Sequence, residues 1–344
     1  MAIEAVFSSN AFMGVGSGLV CRNRLALNYT SPLQCQRRYV MKLSECIEHC
    51  GLELDRAGLC FGHGTDNARD EAAWLVLSAL QLPVAGPLPP GDLVLSGGQQ
   101  KQVSGLLRQR IEMRQPLAYL TGEAWFCGMR FEVTPAVLVP RSPIAELIAR
   151  QFRPWVEPEA VHRALDLGTG CGCIAIAMAR HMPQVRVDAT DISRKALAVA
   201  SRNRALHGME KAVELIRSDL FNGLQGRRYD LLVSNPPYVS RQRFETLPAE
   251  YRAEPETGLV SPGQGLSIPL RILSQAPDFM TEDAVLVCEV GESAALLSRL
   301  LPGLPLTWPE CEHGGEGVFT IGRRELLAYR PAITASLEKL QHVV

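Results

Sequence analysis

The residues with the clearest chemical use are Asn235, Pro236, Pro237 and Tyr238, which follow the apolar run 229–233 and Ser234. Because proline cannot continue a hydrogen-bonded ladder, the run is predicted to be a buried strand that ends before Asn235. The Asn235 amide oxygen and the next carbonyl are acceptors that could take both protons of a planar NH2 group. The Tyr238 ring would cover that group. Such a site suits a carboxamide or the exocyclic amine of adenine, with the nitrogen lone pair turned toward an electrophile; the alternative is a plain turn after a strand.

A glycine-rich loop offers a place for a cofactor. It reads Asp166-Leu167-Gly168-Thr169-Gly170-Cys171-Gly172, after one short apolar run and before a small-residue helical pattern. Glycines let the backbone approach a ligand, and free N–H groups at a helix start favour an anion. The dinucleotide fingerprint is not met, because position 173 is Cys. An acid directly before the loop suits a ligand that carries an ammonium group, such as the methionine part of S-adenosylmethionine.

Acidic residues also end the two strands predicted next. Asp191 ends the second strand, where it could accept from both hydroxyls of a ribose. Asp219 and Leu220 end the third strand, where they could bracket an adenine. Each acid alone is more often a helix cap. Three acids at consecutive strand ends beside a glycine loop instead predict an S-adenosylmethionine site. Its methyl sulfonium would be the electrophile, and catalysis would come mainly from positioning.

The elements that must position these residues fall into three predicted regions. Residues 143–344 alternate strands and helices, which predicts an α/β domain with a mostly parallel sheet. Residues 117–142 predict a β-hairpin linker. Residues 41–116 predict a helical domain, either a packing cap or a docking surface for a macromolecular substrate. Residues 1–40 resemble a transit peptide in composition or reflect a start codon placed too early, and neither interpretation expects them to pack. The third predicted helix carries a basic face, which consists of Lys101, Arg108, Arg110 and Arg114.

Composition limits the classes of function. The 344 residues, 47% apolar and 21% charged, provide material for two globular domains. A formal net charge of −1 does not favour broad capture of nucleic acid, so no stable nucleic-acid binding is expected. The sequence contains no run of about 18 or more apolar residues, so no membrane span is predicted. The ten cysteines are scattered without a paired Cys-x2-Cys. Free thiols in a reducing cytoplasm are therefore favoured over a metal site, and no metal is expected.

The glycine loop and Asn-Pro-Pro-Tyr together resemble class I S-adenosylmethionine-dependent methyltransferases, a Rossmann-like α/β family with a seven-stranded sheet. Three further motifs resemble the bacterial protein-glutamine methyltransferases, in the branch that modifies large-subunit ribosomal protein three. They read Phe-Gly-His-Gly-Thr-Asp-Asn at 61–67, Trp-Phe-Cys-Gly at 125–128 and Val-Pro-Arg-Ser-Pro at 139–143. Glu-Val-Gly at 289–291 and Gly-Gly-Glu-Gly-Val-Phe at 314–319 also fit.

This resemblance implies a role for each part of the chain. The helical domain would help to recognise the protein substrate, and the glycine loop, Asp191, Asp219 and Leu220 would bind S-adenosylmethionine. Asn235, Pro236 and Tyr238 would hold the glutamine amide, with Asn235 also close to the cofactor and Pro237 part of the substrate site.

Three alternatives remain open at this point. The sister branch acts on peptide-chain release factors, but it usually carries Pro-Glu-Thr-Glu-like residues after the arginine, where this chain has Ser142-Pro143-Ile144. A DNA adenine methyltransferase shares the Asn-Pro-Pro-Tyr chemistry but needs a basic target-reading region, whereas residues 239–265 are acidic. A non-enzymatic assembly factor would not need the donor loop. The same stretch, 239–265, is either a functional lid, with Tyr251, Arg252 and Glu254 contacting the substrate, or a surface excursion.

Overall fold

The computed structural model describes residues 40–87, 89–312 and 317–341. The predicted tail therefore lies outside the described residues except for Val40, as do His313 and the Gly314-Gly315-Glu316 part of one motif. The first region contains β1 (Met41–Lys42), α1 (Leu43–Arg56), α2 (Ala68–Ala79), β2 (Val94–Leu95) and α3 (Gly97–Met113). The two short strands pair antiparallel, and Asn67 caps α2 by accepting from the Asp70 backbone N–H at 2.9 Å. The helical pattern predicted for this region is thus observed.

The prediction that Arg110 belongs to a basic outer face of α3 is wrong. This side chain is fully buried, and its Nε donates to the Glu71 carboxylate of α2 at 2.7 Å. It also donates to the carbonyl of Cys60 at 3.2 Å. A buried arginine is stable only when acceptors surround it. Here the acceptors come from parts of the chain that are distant in sequence.

The second region connects the helical part to the sheet. It contains α4 (Leu117–Thr121), β3 (Glu123–Phe126), β4 (Met129–Glu132) and α5 (Ile144–Ala149). The hairpin turns at Cys127 and Gly128, which have φ values of 48° and 72°. Asn203 fixes the hairpin to the glycine loop, because its fully buried Nδ2 donates to the carbonyls of Glu132 and Cys171, both at 2.9 Å.

The third region builds the main sheet. Its elements are β5 (Arg163–Leu167), α6 (Cys173–His181), β6 (Arg186–Asp191), α7 (Arg194–Leu206), β7 (Val213–Arg217), β8 (Tyr229–Ser234), α8 (Arg241–Glu245), α9 (Ala249–Arg252), α10 (Glu256–Leu259), α11 (Ser267–Gln275), β9 (Met280–Glu289), α12 (Ala294–Leu300), β10 (Val318–Gly322) and α13 (Arg323–Gln341). The strand order is β10-β9-β8-β5-β6-β7, and only β10 runs antiparallel to its neighbour. The predicted α/β class is confirmed.

The sheet has six strands in the part of the chain that the structure describes, rather than the seven implied by the resemblance. At its β10 edge, Thr307 forms a single antiparallel bridge with Thr320. Two backbone hydrogen bonds, of 3.1 and 2.8 Å, hold this bridge. Pro305 and Pro309 lie two residues to either side and have no N–H to donate, which explains why the pairing does not extend into a strand.

Two apolar cores lie on the two faces of the sheet. One core includes Leu165, Leu232 and Leu286 and is covered by residues of α11, α12 and α13. The other runs without a break from Leu43 in α1 through the hairpin to Ile176 in α6. The division at residues 116 and 142 therefore stays a prediction, because the apolar packing crosses both boundaries. None of the described helices is long and apolar enough to span a membrane.

Candidate active site

The order of the strands reverses beside β5, because the chain adds β6 and β7 on one side of β5 and then returns to add β8 on the other side. Open α/β sheets bind ligands outside the carboxyl ends of the strands at such a point. A cavity of about 340 Å³ lies there. Of the residues predicted to form the site, those that line this cavity are Gly168, Thr169, Gly170, Cys171, Asp191, Asp219, Leu220, Asn235, Pro236, Pro237 and Tyr238. Asp166 and Gly172 lie behind it.

Asp166 holds the glycine loop in shape. Its buried carboxylate accepts from the Thr169 hydroxyl at 2.6 Å and from the Ala175 N–H, in the first turn of α6, at 3.1 Å. Burial raises the pKa of Asp166 to about 7, against the opposing effect of these hydrogen bonds. The other carboxylate oxygen has no hydrogen-bond partner among the described residues. Contact between Asp166 and a cofactor ammonium stays a prediction, and this unpartnered buried oxygen is the acceptor available for it.

Glycine is needed at the three positions of the loop for different physical reasons. All three have positive φ, at 73°, 57° and 85° for Gly168, Gly170 and Gly172. A Cβ added at Gly168 or Gly170 would meet no protein atom within 4 Å. A Cβ at Gly172 would lie 3.2 Å from both Ala200 and Ile176. The first two glycines therefore leave room beside the cavity, whereas Gly172 lets α6 and α7 pack closely.

Alanine substitutions should separate these roles. We expect Gly172→Ala to lower the free energy of unfolding by about 1–3 kcal/mol, from the left-handed backbone and the close contacts together. Gly170→Ala should instead weaken S-adenosylmethionine binding more than stability. Gly226→Ala is the matched control, since Gly226 has a φ of 78°, open space around its Cβ position and no place in the cavity lining. Urea unfolding and calorimetric binding measure both effects, and equal cofactor affinity for Gly170→Ala and Gly226→Ala would contradict the assignment.

Asp191 faces the cavity with its carboxylate fixed by backbone groups. One oxygen accepts from the Gly170 N–H at 3.0 Å, and the other accepts from the Ser193 N–H at 2.7 Å. Burial raises the pKa of Asp191, and these hydrogen bonds oppose the increase. A carboxylate offers about four acceptor positions, so both oxygens can still accept from a diol.

Asp219 and Leu220 close the other end of the cavity. Both oxygens of Asp219 accept from the Arg271 guanidinium of α11 at 3.1 Å. Leu220 has a φ of 48°, which is rare for a residue with a side chain. The Ser218 hydroxyl donates to the Leu220 carbonyl at 2.6 Å and holds this conformation. Backbone strain of this kind commonly occurs at ligand sites.

Asn235 stands directly beside the glycine loop. The Ser234 hydroxyl donates to the carbonyl of Leu167 at 2.9 Å, which ties the end of β8 to the end of β5. Within the described part of the chain, neither the Asn235 side chain nor the Pro236 carbonyl has a hydrogen-bond partner. Two acceptors on consecutive residues are therefore free at the cavity.

Tyr238 is held from three sides. Its hydroxyl donates to Glu289 at 2.8 Å, and its carbonyl accepts from the Ser293 hydroxyl at 2.8 Å. Its ring lies against Gly291, where a Cβ would come within 2.6 Å of the ring. The orientation of this ring is thus determined by the fold before any ligand binds.

Eight further polar side chains line the cavity that the sequence patterns did not single out as site residues: Arg141, Ser142, Thr190, Ser193, Ser218, Thr257, Arg271 and Glu289. Glu289 carried a usable signal, because it is an acid at the end of an apolar strand, like Asp191. Arg271 carried none, since it lies on a helix and meets Asp219 only through the fold. Among the described residues, no group of three or more His, Cys, Asp or Glu side chains could hold a metal ion.

Residues 239–265 form three short helices that are fixed by buried carboxylates. Glu254 is 3% exposed and accepts from Arg141 in a two-point ion pair at 2.7 and 2.6 Å. It also accepts from the backbone N–H of Val139 at 2.9 Å. Glu250 is fully buried and lies 3.0 Å from the Arg114 guanidinium of the helical part. The predicted substrate contact of Glu254 is not supported, because this carboxylate is already engaged inside the protein.

The cavity fits S-adenosylmethionine on three structural grounds. Gly168 and Gly170 leave an open cradle, and Asp166 has an unpartnered buried oxygen behind it. Asp191 presents acceptors for a ribose, and Asp219 and Leu220 form the far wall.

Comparisons with known proteins identify relatives of this chain. The family model described as "Methyltransferase small domain" matches residues 147–257. The ribosomal protein uL3 glutamine methyltransferase of Xanthomonas campestris pv. campestris is 49% identical over 291 residues, covering 84% of this chain and 94% of that protein. The enzyme of the same name from Xylella fastidiosa (strain Temecula1) is 47% identical over 291 residues, covering 85% and 93%. A crystal structure of a methyltransferase from Pyrococcus furiosus is 18% identical with a TM-score of 0.43, covering 57% of this chain and 89% of that one.

Proposed function

We propose, from the premise that this chain belongs to the ribosomal protein uL3 glutamine methyltransferase family, that it methylates the side-chain amide nitrogen of one glutamine in ribosomal protein uL3. The methyl donor is S-adenosylmethionine. The observation that carries the proposal is the pair of free acceptors on Asn235 and Pro236 beside the glycine loop, next to the fixed ring of Tyr238. A ribosomal-protein substrate agrees with the cytoplasmic location expected from the sequence.

The amide site works by orienting a weak nucleophile. The Asn235 amide oxygen and the Pro236 carbonyl accept the two N–H bonds of the glutamine side chain, while Pro237 and Tyr238 cover its face. With both N–H bonds held, the plane of the amide is fixed, and one face of its nitrogen lone pair is turned toward the cofactor side of the cavity. Pre-organised polar groups of this kind lower a barrier because they need no rearrangement during the reaction. No strong base is required before the attack, since the nitrogen loses its proton to water after the methyl group has left the sulfonium, which becomes a neutral thioether.

The donor site is formed by the opposite half of the cavity. The open face of Gly168–Gly170 cradles the methionine part, Asp191 accepts from the ribose hydroxyls, and Asp219 with Leu220 borders the adenine. When bound, S-adenosylmethionine supplies an electrophilic methyl group on a sulfonium. The hydrogen bond from Ser234 to Leu167 keeps the two halves of the cavity in register.

Substrate choice is supported by the relatives and by the fold of residues 239–265. A DNA adenine methyltransferase needs cations that face its target. Of the three arginines in this segment, Arg241 is instead paired with Glu256 and Arg243 lies 3.3 Å from Glu292, which leaves Arg252. The relatives are named for uL3 rather than for a release factor, which favours the ribosomal-protein branch.

The test is a parallel labelling assay with purified enzyme and radiolabelled S-adenosylmethionine. Free uL3, a peptide-chain release factor and unmethylated DNA are offered separately, and labelled peptides are mapped by mass spectrometry. We expect label on the amide of one glutamine in uL3. Label on the release factor alone would retain the chemistry and overturn the substrate. Label on DNA alone would show that the site holds an adenine amine instead of a carboxamide.

A further inference from the structure

Glu289 is the most buried acid that faces the active-site cavity outside the predicted set. It is the last residue of β9 and is 5% exposed. The parallel pairing of β8 with β9 sets Ser234 opposite Cys288. Asn235 and Glu289 are thus the next residues along two neighbouring strands, and both line the cavity. A carboxyl group therefore lies next to the proposed amide site.

Two hydroxyl groups donate to this carboxyl, one to each oxygen. The Tyr238 hydroxyl donates to Oε1 at 2.8 Å, and the Ser142 hydroxyl donates to Oε2 at 2.5 Å. Hydrogen bonds to an ionised acceptor are about twice as strong as bonds between neutral groups. An ionised Glu289 accepts both donors, whereas a protonated one must itself donate from one oxygen. The carboxylate form is thus the one that can accept from both hydroxyls at once.

We infer that Glu289 is a positioning residue for the proposed methyl transfer, which as a carboxylate holds the Tyr238 ring against the glutamine amide while Ser142 holds the carboxylate. This inference rests on the proposed function. Tyr238 covers the amide only in one ring orientation, and its hydroxyl has Glu289 as its acceptor. Ser142 comes from the segment between the hairpin and α5, so Glu289 also joins that segment to the amide site.

The arrangement has a consequence for pH. Burial raises the pKa of Glu289, against the opposing effects of the Ser142 and Tyr238 hydrogen bonds and of the Arg141 charge. The other titratable groups around it are the thiols of Cys288 and Cys311 and the phenol of Tyr238. As pH falls through this raised pKa, Glu289 becomes neutral and one of its two donors loses its acceptor. Activity should therefore fall on the acid side at a pH above the usual range of a glutamic acid.

The conservative variant separates positioning from charge. Glu289→Gln can still accept from Tyr238 and can donate to the Ser142 oxygen, but it does not titrate. Because Glu289→Gln has the hydrogen-bonding capacity of the protonated acid, we expect its kcat to stay near the lowered value that wild type reaches on the acid side, with no acid limb in the pH profile. Glu289→Ala should lower kcat by about 10–100-fold through misplacement of the ring, with little change in the KM for S-adenosylmethionine. In a Tyr238→Phe background, Glu289→Ala should add little to the loss.

The controls address folding and substrate identity. Glu282→Gln, at an exposed position on the same strand, should behave as wild type. If Glu289→Ala does not fold, Glu289→Gln still tests the acid limb. A 19F resonance from 3-fluorotyrosine placed at position 238 should titrate in the wild-type background and stay constant with Glu289→Gln, whatever the substrate proves to be. A wild-type enzyme that labels no glutamine would overturn only the proposed function. An unchanged acid limb and an unchanged 19F titration in Glu289→Gln, or independent effects of Glu289→Ala and Tyr238→Phe, would overturn the inference.

Discussion

Replacing Asn235 with alanine is expected to lower the rate of methyl transfer by orders of magnitude while leaving S-adenosylmethionine binding nearly intact. The substitution removes one of the two acceptors that hold the glutamine amide, so its nitrogen lone pair is no longer turned toward the methyl group. Loss of one pre-organised hydrogen-bonding group in an active site costs about 100- to 1,000-fold in kcat. The donor half of the cavity is formed by other residues, from Gly168 to Leu220. Single-turnover transfer to uL3 and calorimetric cofactor binding measure the two effects separately.

The matched control for this experiment is Asn222→Ala. Asn222 is an exposed asparagine in the same domain and is absent from the cavity lining. We expect this variant to transfer methyl groups at the wild-type rate. Normal turnover by Asn235→Ala would contradict the proposal that Asn235 holds the glutamine amide. Loss of cofactor binding by the same variant would instead assign Asn235 to the donor site.

Residues at strand ends were the most predictable part of the site. In an α/β fold an apolar run that stops at a polar residue indicates both a buried strand and the edge at which it ends. Asp191, Asp219 and Asn235 all carried that signal, and the structure brings them to one cavity. The Asn67 cap of α2 was predictable for a similar reason, because the signal is local in sequence.

Partnerships between distant residues were not predictable from sequence. Arg110 was expected on an exposed face because charged side chains are rarely buried. It is instead enclosed by Glu71, from 39 residues away in the chain. Substrate contact was one of two alternatives for the segment of Glu254, yet this carboxylate is paired with Arg141, 113 residues away. A pattern along one segment contains no information about which opposite charge will be folded against it.

The glycine loop shows a second limit of sequence patterns. The motif marks Gly168, Gly170 and Gly172 alike, and all three have positive φ. Only the surrounding atoms distinguish open space beside a ligand from close packing against α7. A glycine that contacts a cofactor and a glycine that allows close packing therefore look identical in sequence. The same holds for Asp166, whose position in the motif does not reveal that its carboxylate holds the loop from behind.

Replacing Glu254 with alanine is expected to produce the largest loss of stability. The carboxylate is buried, and its removal leaves Arg141 without its ion-pair partner and the Val139 N–H without its acceptor. Breaking one side of a buried ion pair costs about 3–5 kcal/mol, and the lower end applies because Arg141 is 26% exposed and keeps some water. Glu256→Ala, which removes an exposed ion pair with Arg241 on the same segment, should change stability little. Urea unfolding measures both, and equal losses would contradict a special role for Glu254.

The pH dependence of a second variant, Glu254→Gln, checks the electrostatic origin of the effect. Burial alone would raise the pKa of Glu254, but the Arg141 guanidinium and the adjacent His63 bring it down from 4.5 to about 2. A carboxyl whose pKa is lower in the folded state stabilises the fold above pH 4.5, and that stabilisation is lost as pH falls toward about 2. The stability difference between wild type and Glu254→Gln should therefore shrink across this window. A constant difference would mean that Glu254 stabilises this part of the fold by packing rather than by charge. In that case the link from the helical part through His63 and Glu254 to Arg141 at the cavity wall would not be electrostatic.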